Sequence, residues 1–218
     1  MSQPPMSLSR LRVALHTRWI RTRYPFHAFG TGNSVHHSCQ LDPNIAKGVS
    51  FGSGIYVGKD CWINAVAADT NPAPSIIVGN GCRIGRRNVI SARNLIQIED
   101  DVLFAPGVLL MDHSHQYSDV NLPIHAQGLT GGGTIVVERN CWIGYGAAVL
   151  STHGELRIGR NTIIGANAVV RSSLPPFSVA VGNPAKVVKR FDPGSGEWVR
   201  VEQNDLSKGL REWELFRT

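Results

Sequence analysis

A period of six residues runs through the chain and leaves few folds open to it. An aliphatic residue recurs at Val57 and Ile63, then at Val78, Ile84, Ile90 and Ile96. After a two-residue shift it resumes at Ile98, Phe104 and Leu110, and it returns at Val137, Ile143 and Val149 and at Ile158, Ile164 and Val170. Gly or Ala often follows at once (Gly58, Gly79, Gly85, Ala105, Gly144, Gly159, Gly165), and a second small or aliphatic residue stands four places on, at Ala67, Asn88, Val102, Val108, Ala147, Thr162 and Ala168. Two inward side chains per six residues are too sparse for a helical stripe and do not follow strict strand alternation. Recurrent Gly, costing about 1 kcal/mol each inside a helix, argues further against helix. Short strands joined by tight turns satisfy the pattern, with Gly and Asn supplying the turn conformations. Three hexapeptides then make one triangular coil of about eighteen residues, and stacked coils bury a continuous aliphatic column. The fold class expected is an all-β solenoid.

At 218 residues the chain is one domain with small appendages. No apolar run approaches the roughly 20 residues of a membrane span. The N-terminus lacks the apolar stretch of a signal peptide, so a cytoplasmic protein is expected. The net charge is +6, and Arg10, Arg12, Arg18, Arg21 and Arg23 all precede the first acidic residue, Asp42. The basic character belongs to an arm. Without a basic face or a recognisable module, no nucleic-acid partner is expected.

Residues 1–27 form this arm, with Leu8, Leu11, Leu15, Trp19 and Ile20 among the arginines. A short amphipathic helix ending before Pro25 is expected there. The arm has two readings: it caps the open edge of the first coil, or it binds an anionic membrane surface. The second reading would make the protein peripheral at the inner face of the membrane. Residues 28–190 form the solenoid, interrupted by a small loop at 69–75 and a longer one at 112–133. Loops of the latter length inside a compact solenoid are often functional. Residues 191–218 are a tail, with Leu206, Leu210 and Trp213 spaced for a short C-terminal capping helix. Cys39, Cys61, Cys82 and Cys141 each stand four residues after an aliphatic position, the small inward slot. They read as core packing, and no metal site is expected.

The strongest chemical signal is His113 and His115 at the root of the long loop, just after Leu110. Histidine suits proton transfer near neutral pH. Asp112 either orients one imidazole, as carboxylates do in other His-based sites, or is an ordinary turn Asp.

Stretches such as "IGRRNVISARNL", "CWIGYGAAV" and "IGRNTIIGANAVV" resemble the hexapeptide-repeat acyltransferase superfamily, over about residues 30–190. The resemblance implies a left-handed parallel β-helix and a homotrimer with sites between subunits. It also implies transfer of an acetyl group from acetyl-CoA to a saccharide hydroxyl, with His as general base and no covalent enzyme intermediate. In the galactoside, maltose and streptogramin acetyltransferase branch the catalytic His opens such a loop, and counting from the junction favours His115 over His113. Tyr117, Asp119 and Pro123–Ile124 resemble the version in saccharide and lipopolysaccharide O-acetyltransferases. By the same resemblance CoA meets Tyr145, Ala166, Arg171, Ser172, Lys186 and Lys189, although the family more often shows Thr-Lys where this chain has Arg171-Ser172. Two other readings fit the repeat. One is a zinc enzyme resembling γ-class carbonic anhydrases, against which stands the lack of two His five residues apart. The other is a non-catalytic scaffold, against which stand the loop-root His pair and the C-terminal lysines.

Overall fold

The computed structural model describes residues 8–66 and 73–201. The backbone winds through three parallel sheets, visiting them in turn. The first sheet takes Ala28–Phe29, Val49–Phe51, Ile76–Val78, Leu95–Ile98, Thr134–Val137 and Glu155–Ile158. The second takes Ser34–Val35, Tyr56–Val57, Arg83–Ile84, Leu103–Phe104, Trp142–Ile143, Ile163–Ile164 and Ser178–Val181. The third takes Trp62–Ala65, Val89–Ala92, Leu109–Met111, Ala148–Leu150 and Val169–Val170. Register is held along each face, so that Ile84, Phe104, Ile143 and Ile164 stack one above another.

Every aliphatic position of the six-residue period is buried, as are the described residues four places on, from Asn88 to Ala168; Ala67 lies outside the described residues. The two-residue shift at Ile98 has a simple cause. After the two-residue Ala28–Phe29, the strands of the first sheet are three or four residues long and send two side chains inward, as in Ile96 with Ile98, Ile135 with Val137 and Leu156 with Ile158. The period therefore changes to two locally.

Two of the three corners repeat from the second coil to the sixth. Three residues after the inward residue of the first sheet the backbone is left-handed, at Gly54, Gly81, Asp101, Asn140 and Asn161; after the second sheet the same holds at Asp60, Arg87, Gly107, Gly146 and Asn167. Gly144 shows why small residues follow the aliphatic one, since a Cβ there would lie 2.5 Å from the Ile164 carbonyl oxygen. The third corner keeps no such rule, and both loops leave from it.

The helix Leu8–Arg23, α1, closes the first coil. Thr17 and Ile20 are its buried residues, and the Thr17 hydroxyl accepts from the Val35 N–H at 2.9 Å. It thus satisfies the edge of the second sheet. At the other end, Lys186–Asp192 pairs antiparallel with Ser178–Val181, and Glu197–Arg200 follows as a hairpin. The expected helix around Leu206, Leu210 and Trp213 lies outside the described residues, as do residues 69–72 of the small loop. Among the described residues no helix is long and apolar enough to cross a membrane.

Candidate active site

The strand Leu109–Met111 runs in register between Val89–Ala92 and Ala148–Leu150, and the chain leaves the coil at Asp112. Asp112 is fully buried, which a carboxylate tolerates only when its oxygens are satisfied. One oxygen accepts from the Arg93 N–H at 2.7 Å; the other accepts from the N–H groups of Asn94 and Leu95 at 2.8 and 2.9 Å. The acceptor side chain thus holds the backbone of the preceding coil's short turn. The first oxygen also lies 2.9 Å from His113 Nδ1, and His113 is only 8% exposed. A carboxylate already fixed by three backbone donors cannot swing, so the imidazole it holds cannot swing either. With its proton on Nδ1 facing Asp112, His113 keeps the Nε2 lone pair for another partner.

The loop leaves and returns at one point. The Gly133 N–H donates to the Asp112 carbonyl at 2.6 Å, Thr130 N–H to the Ser114 carbonyl at 2.7 Å, and Gln116 N–H to the Gly128 carbonyl at 3.0 Å. His115 bridges Leu129 through its backbone, and its side chain is exposed. Of the two histidines at the loop root, the structure joins His113 to Asp112 and leaves His115 on the outside of the stem.

One coil further on, Leu150 sits directly against Met111, and the Ser151 N–H donates to the Met111 carbonyl at 3.1 Å. A cavity of about 370 Å³ opens there, lined by Ser151, Thr152, His153, Arg171 and Asn183 together with Leu150 and Val169. Arg171 therefore stands in the same corner column as the Asp112–His113 pair; Ser172 is exposed beside it. His153, with Nδ1 3.1 Å from the Thr152 hydroxyl, was not anticipated. Its signal in the sequence is faint, a lone His in a four-residue corner.

Tyr145 and Ala166 are exposed and stack at the corner after the second sheet, where the Asn167 N–H donates to the Tyr145 carbonyl at 2.7 Å. Lys186 and Lys189 pair with Val181 and Val179, and a bulge lies between Val179 and Ala180. Directly paired residues of antiparallel strands share a face. The bulge therefore puts both lysines on the solvent side, although a spacing of three would separate them in a regular strand.

Cys82 and Cys141 are packing groups. Burial pushes the Cys82 thiol up to about 11 and the Cys141 thiol up to about 12, so neither supplies a thiolate at neutral pH. Among the described residues no group of three or more His, Cys, Asp or Glu side chains could hold a metal ion.

No family model matches the chain. Over 160 residues it is 34% identical to a Mycobacterium tuberculosis protein named as an acetyltransferase, covering 73% of this chain and 48% of that one. Over 167 residues it is 28% identical to an Escherichia coli protein named as a lipopolysaccharide biosynthesis O-acetyl transferase, covering 73% of this chain and 79% of that one. The chain thus spans about half the length of the first relative. Among solved structures, a variant of AntD, an N-acyltransferase from Bacillus cereus in complex with dTDP and Coenzyme A, matches with a TM-score of 0.63 at 14% identity, covering 89% of this chain and 95% of that one. At that identity the likeness speaks for the fold alone.

Proposed function

We propose, from its likeness to proteins named as acetyltransferases and from the hexapeptide repeat of its own sequence, that this chain transfers an acetyl group from acetyl-CoA to a hydroxyl of a saccharide, with His113 as general base and Asp112 positioning it. The observation that carries the reading is the buried Asp112–His113 pair, locked by three backbone N–H groups at the root of the long loop. His113 Nε2 removes the acceptor's hydroxyl proton as the oxygen attacks the thioester carbonyl. As the C–S bond breaks, the imidazolium returns that proton to the departing thiolate, and no enzyme atom is acylated. Asp112 holds the ring in the tautomer that leaves Nε2 bare and stabilises the positive charge that forms.

Arg171, in the cavity beside this pair, and the co-facial Lys186 and Lys189 suit the phosphates of CoA. Tyr145 and Ala166, exposed on two successive coils at the corner after the second sheet, suit its pantetheine arm. The three-sheet winding is in this reading a left-handed parallel β-helix. The protein is a cytoplasmic homotrimer, its flat faces meeting so that sites lie between neighbouring subunits. The saccharide class follows the E. coli relative's name.

Thiol release from acetyl-CoA, measured against a panel of sugars, nucleotide sugars and lipid-linked glycans, tests the proposal. At least one hydroxyl acceptor raises release above the rate with water alone, and His113→Ala removes that gain. Release that no acceptor stimulates would overturn the reading.

A further inference from the structure

We infer that the outward face of α1 docks the protein on an anionic membrane surface. The helix has two apolar sides. Thr17 and Ile20 lie on the coil. Leu8, Leu11, Leu15 and Trp19, spaced by three, four and four residues, lie on the opposite side and are 86, 40, 60 and 51% exposed. A helix whose task is only to close a solenoid needs a polar outer side to stay soluble; this one presents three leucines and a tryptophan. At about 3.6 residues per turn, Arg12 and Arg23 flank that strip on one side and Arg18 and Arg21 on the other. No acidic residue occurs before Asp42. An apolar strip bordered by two rows of cations is the form of a helix lying in the lipid interface, its side chains in the acyl boundary and its guanidinium groups among phosphates.

Charge selects the occupant. The same helix of a second copy would set four arginines against four, whereas an anionic bilayer neutralises them. Placement agrees: α1 covers the end of the coil, not its flanks. Asp112 and His113 follow the fourth coil, about 15 Å further along the axis at about 4.8 Å per strand spacing. A docked protein thus holds this corner within a short distance of the lipid surface. The inference does not depend on the reaction proposed above.

Co-sedimentation of the full chain with vesicles of phosphatidylcholine, with and without phosphatidylglycerol, tests it. Binding is expected only with phosphatidylglycerol and should weaken as salt rises. It should fall on the order of five-fold for each of Arg12, Arg18, Arg21 and Arg23 changed to Gln. Replacing Leu8, Leu11 and Leu15 by Ser should lower it at least ten-fold, with the thermal unfolding of each variant checked first. In the otherwise unaltered protein, lipid brominated in its acyl chains should quench fluorescence that Trp19→Phe removes. Absence of binding to phosphatidylglycerol vesicles, equal binding to both vesicles, or an unquenched Trp19 would overturn the inference. So would self-association or DNA binding through this strip in place of vesicle binding.

Discussion

At the corners that follow the second sheet, the second to sixth coils turn in the same way: an inward residue, a left-handed residue three places on, and a small buried side chain after it, as in Val57–Asp60–Cys61 or Ile143–Gly146–Ala147. At the corners that follow the third sheet no two coils agree. One turn spans Arg93–Asn94, one runs out from Asp112 and returns at Gly133, and one closes over Ser151–Gly154. The first column spends its side chains on packing. In the second, a buried carboxylate replaces turn chemistry, and the residues that gather there are His113, His153 and Arg171. Repetition marks where the chain is held together, and its failure marks where chemistry can be placed.

The largest test of this contrast is kinetic. His113→Ala should lower kcat by a factor on the order of 10² to 10⁴, the usual value of a positioned base, with the KM for acetyl-CoA little changed. His115→Ala, on the outside of the loop stem, should stay within a few-fold of the parent. Steady-state assays of the two variants side by side would break the contrast if the losses were reversed.

Next in size is Asp112→Ala, which removes the acceptor of three backbone N–H groups and strands the buried His113. It should cost about 3–5 kcal/mol of stability, read by denaturant unfolding, and turnover should fall with it. The regular column supplies the counterpart. Asn88 is buried; its amide donates to the Gly85 carbonyl at 2.8 Å and accepts from the Val108 N–H at 2.6 Å. Asn88→Ala should cost about 1–3 kcal/mol while leaving kcat unchanged, so that stability and activity separate between the columns. The smallest effect belongs to the C-terminal lysines. Lys186→Ala and Lys189→Ala should each raise the KM for acetyl-CoA by about ten-fold or less, with kcat unaltered, because each supplies at most one charge-assisted contact.

The regular columns were legible in the sequence because their cause is local. An aliphatic residue, a left-handed turn residue and a small residue within six positions specify one corner without reference to the rest of the chain. The irregular column was only half legible. The long loop and its histidines stood out, and Asp112 was recognised as either an orienter or a turn residue. Its partners lie in the preceding coil, seventeen to nineteen residues away at Arg93, Asn94 and Leu95, so linear spacing could not decide between the two. The same limit set His115 ahead of His113, since counting along a loop says nothing of which ring is buried against a carboxylate. The bulge that unites Lys186 and Lys189, and the outward strip of α1, likewise depend on how elements face one another. The arginine-rich segment announced a helix but not that its apolar residues divide between two opposite sides.

The proposed role of His113 rests on its hydrogen bond to Asp112, and nitrogen NMR of the histidine rings in the intact protein tests it most directly. His113 should carry its proton on Nδ1, deshielded by Asp112, with Nε2 bare and able to accept a proton from the substrate. A His113 ring protonated on Nε2 alone, or a His115 ring showing the carboxylate-bound Nδ1 proton in its place, would contradict it.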